Sequence, residues 1–333
     1  MADTAVMTTG TTVADQVSGW DHLEWWVGNA RAVTAWLTSG FGFRVAAYAG
    51  PETGVADRVS YLLVQGPSGP ARAGDTGPSG PARADAVGGV RFVVTAGLDP
   101  DSDVSRHVAR HGDGVRHLAW QVADPAAALE AAARRGAAVV TEPTSVNGDA
   151  GSVTTAAIST YGETRHLFVD RSGWSGPWGP GFTAERIPPP PVGPAVGLAS
   201  IDHVVGNVEE GRLDEWVAFY EDLGFSQMKH FDAEAISTEY SALRSTVMWN
   251  GADIKMPINE PAPGLRKSQI TEYIEAYRGP GVQHIALATP DIVTSVTALA
   301  RRGVRFLNMP ATYYSDARVR CGSFDVAWDD LER

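Results

Sequence analysis

The chain repeats itself, and the repeat limits what it can fold into. Residues 112–143, GDGVRHLAWQVADPAAALEAAARRGAAVVTEP, align with residues 279–310, GPGVQHIALATPDIVTSVTALARRGVRFLNMP. Both read as turn, strand, capped helix, strand. In the first copy Asp124 caps the helix, Pro125 opens it and Gly136 ends it. In the second, Pro290 and Asp291 fall in the first turn and Gly303 closes the helix. Both helices finish on a basic pair, Arg134–Arg135 and Arg301–Arg302, which suits the negative end of the helix dipole. Upstream, residues 20–43 align with residues 201–225: an Asp–His strand, then an amphipathic helix. In the later copy Leu213, Trp216, Val217 and Tyr220 recur at helical spacing, which predicts a core-facing stripe. The chain is therefore expected to be α+β, two similar modules built from short βαβ-type units.

The module boundary is legible. RIPPPPVGPAVG (186–197) holds five prolines and reads as a stiff extended spacer. The expected division is a first module over 18–175, a Pro-rich linker over 176–197 and a second module over 198–333. GPSGPARA recurs at a period of 11 within 66–86, which reads as a loop duplication without chemistry.

Composition excludes several functions. A net charge of −12 argues against nucleic-acid or anionic-membrane partners. The single cysteine, Cys321, allows no internal disulfide and fits a reducing, cytoplasmic setting. The N-terminus lacks a basic segment followed by an apolar run, so no secretory signal is expected, and no apolar run is long enough to span a bilayer.

The chemistry concentrates on two strand histidines. In IDHVV, Ile201, His203 and Val205 should share one face; in VQHIALA, Val282, His284, Ala286 and Ala288 should share one. A lone histidine on an apolar strand is ordinarily structural. Two at equivalent positions of one module, facing one cavity, fit a metal pair, with a hydrogen-bond acceptor holding the second nitrogen of each ring. The pair leaves the metal's identity open; one added carboxylate would make the donor set of non-haem Fe(II). Between them, residues 239–270 read as a strand pair turning at Asn250–Gly251, then a proline-framed segment. Ser245 and Asn259 fall on strands and Gln269 at a helix start. These neutral groups suit a polar small molecule, although ordinary strand and loop chemistry accounts for them equally.

At these residues the chain resembles the 4-hydroxyphenylpyruvate dioxygenase family of the vicinal-oxygen-chelate superfamily. IDHVVGN, TEYSALRS, IKMPINEPAPG, KSQI, GVQHIAL and FLNMPATYY carry the likeness, with weaker matches at WWVGNA, HGDGV and TYGETRHLFVD. The resemblance covers roughly residues 18–330. It implies two vicinal-oxygen-chelate modules (glyoxalase/bleomycin-resistance-like) of βαβββ repeats, the first structural and the second metal-binding. It implies Fe(II) on His203 and His284. Ser245, Asn259 and Gln269 would orient the substrate and Pro257 would line the pocket. Gln283 matches a family glutamine, yet simple alternation points it away from His284. The implied partners are an aromatic 2-oxoacid and O2, in a homo-oligomer. The implied reaction converts 4-hydroxyphenylpyruvate to homogentisate and CO2 in tyrosine catabolism.

The family's third ligand is a glutamate on a late strand of the second module, and no residue here matches it. Asp325, Asp329, Asp330 and Glu332 resemble the helix before those strands. The expectation is a second module incomplete at its C-terminus and a chain inactive as written. Two other readings stay open: an enzyme like 4-hydroxymandelate synthase, acting in secondary metabolism, and a metal-poor protein that binds aromatic acids. Retention of Pro257 and Asn259 in KMPINEPA favours the dioxygenase over the synthase. In the first module His22 and His117 occupy the equivalent strand positions. His166 lies in the strand where a third ligand would fall, so a second metal site there is a further possibility.

Overall fold

The computed structural model describes residues 10–66, 89–184, 196–228, 242–264, 267–307, 309, 311–321 and 326–332. Most of the GPSGPARA repeat, the proline run, the start of TEYSALRS and Asp325 lie outside these residues.

The first module opens with a short capped helix, α1 (Val13–Gln16), then β1 (Val17–Trp26), α2 (Ala30–Phe41), β2 (Arg44–Ala49), β3 (Arg58–Gln65) and β4 (Val90–Gly97). A second βαβββ unit follows α3 (Asp103–His111): β5 (Gly114–Val122), α4 (Pro125–Ala133), β6 (Val139–Gly148), β7 (Gly151–Ser159) and β8 (Arg165–Asp170). These strands and β9 (Thr183–Ala184) form one sheet in the order β6-β7-β8-β5-β1-β4-β3-β2-β9. The stretch after residue 175, read as linker, thus still pairs with this sheet through β9 and β2.

The second module contains β10 (Ser200–Asn207), α5 (Leu213–Asp222), β11 (Ser226–Gln227), β12 (Ala242–Trp249), β13 (Lys255–Ala262), α6 (Gln269–Tyr277), β14 (Gly281–Ala288) and α7 (Ile292–Arg301). Its sheet runs β11-β12-β13-β10-β14. That order repeats β2-β3-β4-β1-β5, with the same parallel pair at its centre, β1 with β4 and β10 with β13. Even the helix ends match. Gly42 (φ 76) and Gly224 (φ 95) take the left-handed conformation at equivalent points, a conformation glycine adopts without a Cβ clash.

The repeat is imperfect after α7. Residues 304–307, expected as a strand, are irregular, and Leu307 is 90% exposed. Helices α8 (Ala311–Cys321) and α9 (Trp328–Glu332) come next, and among the described residues β14 is an edge strand. Without a neighbour on that side, the segment has no ladder to join. Two smaller expectations also shift. Asp291 is the N-cap itself and Pro290 precedes it. Residues 250–254 join β12 to β13, closed by Asn250 Oδ1, which accepts from the backbone N–H of Ala252 and Ile254.

Periodicity succeeded in α5: Leu213, Val217 and Tyr220 are buried and Trp216 packs against the same core. That core is continuous across both modules. Trp120 of β5 stacks on His166 of β8 at 3.8 Å and meets Phe225 of the second module at 5.5 Å. Among the described residues no helix is long and apolar enough to cross a membrane.

Candidate metal and substrate site

The face of the second sheet opposite its helices is decided by two extra residues. Pairing of β10 with β14 skips Asp202 on one strand and Gln283 on the other. Each is a β-bulge, and a bulge resets the in–out alternation. His203 therefore pairs with Ala286 and Val205 with His284, all on one face. Ile201 and Val282 belong to the helix-covered core, which corrects their expected place beside the histidines. The same bulge overturns the exclusion of Gln283: its Oε1 lies 2.8 Å from His284 Nδ1.

The histidine rings stand 5.8 Å apart at 76°. His203 Nδ1 lies 2.7 Å from Asp202 Oδ2. A carboxylate only accepts, so Nδ1 carries the proton and Nε2 is left with its lone pair. Lys255 Nζ donates to the other Asp202 oxygen at 2.8 Å. These bonds, Lys255 first and His203 next, hold the Asp202 carboxyl below its usual range. In the same way Gln283 Oε1 accepts a hydrogen bond from His284 Nδ1. Partial desolvation of a ring that is still open to solvent, then the neighbouring His203, lowers the His284 pKa and favours the neutral ring a metal needs. Both imidazoles thus fit a metal through Nε2. Among the described residues no carboxylate assembles with them into a three-donor group. Asp329 and Glu332 are engaged instead with Arg318.

The neutral residues come to the same face. Ser245 pairs directly with Asn259, and Val247 with Pro257, across β12 and β13. Asn259 stands in register with Asn207 of β10, which alternates onto the His203 face. Gln269 is the first residue of α6, capped by Ser268, and is exposed. Asn207, which the sequence reading passed over, is fully buried with neither amide atom hydrogen-bonded. A cavity of about 330 Å³ lies where the open edge of β14 meets the first module. His284, Gln283, Trp25, Phe92 and Tyr277 border it, but His203, Ser245 and Asn259 do not.

The first module mirrors the anchoring. His22 Nδ1 lies 2.6 Å from Asp21, and His117 Nδ1 lies 2.7 Å from Glu24. Bulges at Asp21 and Arg116 match those at Asp202 and Gln283. His166 does not join them. It pairs with Leu118, one residue on from His117, so it points to the opposite face and bonds Tyr220 Oη at 2.7 Å. The signal for the anchors was present in sequence as the repeated Asp–His dipeptide; Lys255 and Asn207 gave none.

The duplicated-module fold has counterparts among known proteins. The glyoxalase/bleomycin resistance protein/dioxygenase superfamily model matches residues 19–174 and 200–325. A 4-hydroxyphenylpyruvate dioxygenase of Neurospora crassa is 40% identical over 94% of this chain and 76% of its own length. One from Tetrahymena thermophila is 40% identical over 90% of this chain and 71% of its own. A mutant 4-hydroxymandelate synthase from Streptomyces coelicolor superposes with a TM-score of 0.71 at 27% identity, over 95% of this chain and 83% of that one. With duplicated modules, paired strand histidines and relatives of this similarity, the chain belongs to the 4-hydroxyphenylpyruvate dioxygenase family.

Proposed function

We propose that the chain is an Fe(II)-dependent dioxygenase that converts 4-hydroxyphenylpyruvate and O2 to homogentisate and CO2, in cytoplasmic tyrosine catabolism and as a homo-oligomer. The observation that carries the reading is the anchored pair, His203 and His284, on one face of the second sheet. Bound there, Fe(II) supplies the electrons for oxygen chemistry, which no side chain offers. The protein's part is orientation. Asp202 and Lys255 fix the tautomer of His203, and Gln283 fixes that of His284. Ser245 and Asn259, side by side, present a neutral donor and acceptor pair to the polar groups of the oxoacid. Pro257 lines the same face, and Gln269, exposed at the start of α6, is assigned to the substrate by the family resemblance. Asn207 joins them, because a buried amide without partners awaits a ligand's polar atom. Neutral groups orient an anionic substrate without trapping it.

The test is product identification on the Fe(II)-treated chain given 4-hydroxyphenylpyruvate in oxygenated buffer. Homogentisate formation that disappears in His203→Ala supports the reading and overturns the inactivity expected from the unmatched glutamate; no homogentisate from the unaltered chain bears that expectation out. Undiminished turnover in that variant refutes the metal assignment. A hydroxymandelate product would instead favour the second reading, for which the synthase-like fold is the supporting observation.

A further inference from the structure

A second group of metal-type donors lies far from the histidine pair in chain position and in a different module. His107 and His111 are four residues apart on α3, so they project from one helix face. Glu163, in the turn between β7 and β8, meets them: Oε2 is 2.6 Å from His107 Nδ1 and Oε1 is 3.5 Å from His111 Nε2. The three donor atoms lie within 4.8 Å of one another.

The outer contacts are those of ligands held in place. The backbone carbonyl of Tyr277, at the end of α6, lies 2.6 Å from His111 Nδ1 and fixes the proton there. His111 Nε2 is then a bare lone pair, buried and without a hydrogen-bond partner, aimed at a carboxylate that also only accepts. Nε2 and Glu163 Oε1 are two acceptors 3.5 Å apart at a partly exposed carboxylate, where Arg110 now serves only the oxygen; a bound cation would serve both. Tyr277 Oη, 3.3 Å from His107 Nε2, can accept a hydrogen bond from Nε2–H when Nδ1 ligates. We propose that His107, His111 and Glu163 form a second divalent-metal site, of the two-imidazole, one-carboxylate type that Zn2+ accepts. The ion would clasp the first module against α6 of the second. His107 and Glu163 border a cavity of about 840 Å³ that Arg106, Arg110, Arg116, Arg165 and Arg278 also line, so an anion from solvent would complete the ion's shell there.

The arginines set its strength. Arg110 donates to Glu163 at 2.9 Å, but its side chain is 66% exposed and can swing away. Arg116 stays, held over Trp26 at 4.8 Å, bonded to the Glu163 carbonyl and paired with Glu163 Oε2 at 3.3 Å. Its fixed positive charge weakens the site relative to a dedicated structural zinc centre.

The test is Zn2+ titration of the chelator-treated full chain, with bound metal counted by elemental analysis. The chain carrying His203→Ala and His284→Ala is expected to keep about one equivalent. Adding His111→Gln should weaken that equivalent at least tenfold, and Glu163→Gln should do the same. No retained equivalent, or one indifferent to both added substitutions, overturns the proposal. Should the double-alanine chain fail to fold, His111→Gln in the otherwise unaltered chain decides it. Loss of one equivalent, with loss of the Zn2+-induced rise in Tm, supports the clasp, and an unchanged count refutes it.

Discussion

Replacing His166 by phenylalanine should invert its effect on stability between neutral and acidic pH. The ring is fully buried between Trp120 and Tyr220, and burial pushes its pKa down from 6.5 to about 3. In the unfolded chain the imidazole takes up a proton near 6.5, whereas in the folded chain it refuses one until about 3. Between those values the unfolded state holds the extra proton. Stability is therefore complete above pH 6.5 and falls as pH drops toward 3. Two pH units below 6.5, at about 1.36 kcal/mol per unit, give a loss of about 2.7 kcal/mol by pH 4.5. Phenylalanine keeps the stacking surface but loses the bond to Tyr220 Oη, a cost of about 1 kcal/mol. Tyr220 retains Thr160 Oγ1 at 3.0 Å, so its hydroxyl is not stranded. His166→Phe should thus be about 1 kcal/mol less stable at pH 7.5 and about 1.7 kcal/mol more stable at pH 4.5. Urea unfolding of the metal-free chain, followed by tryptophan fluorescence across that range, reads the difference. If the two stability curves run parallel, the buried neutral imidazole is not what the acid side of the profile reports.

Three further outcomes follow from the geometry. Asp202→Ala removes the acceptor that fixes the His203 tautomer and should weaken Fe(II) binding about 10- to 100-fold, read by direct metal titration; unchanged affinity would remove Asp202 from the site. Asn207→Leu replaces an unpartnered buried amide with an apolar group. It should raise stability by about 1 kcal/mol while lowering kcat/KM, and intact kinetics would show that the substrate never met that amide. Arg171 holds buried Asp21 at 3.1 Å. Burial alone would raise that carboxyl's pKa, yet Arg171 and then His22 bring it well below the usual range. Arg171→Met should therefore cost about 3 kcal/mol in chemical denaturation, since it strands a buried charge; a loss below 1 kcal/mol would mean His22 suffices.

Sequence alone determined the architecture. Hydrophobic periodicity, Asp caps and terminal glycines are local signals, so two copies of strand–helix units were readable before any contact was known. The helix-ending glycines Gly136 and Gly303, both at φ 87, and the apolar stripe of α5 are cases in point. The identities of His203 and His284 were legible for the same reason, since repetition marked them. Tertiary structure decided which way side chains face. The bulges at Asp202 and Gln283 exist only in the pairing of β10 with β14, so strict alternation misplaced Ile201, Val282 and Gln283. His166, raised only as a possible third donor in a module expected to be structural, faces away from His22 and His117, because its face is set by parallel register with β5. The His107, His111 and Glu163 group required α3, the β7–β8 turn and α6 to meet. A pattern within one segment can encode its own period, but a register shift or a meeting of distant segments is a property of the pair.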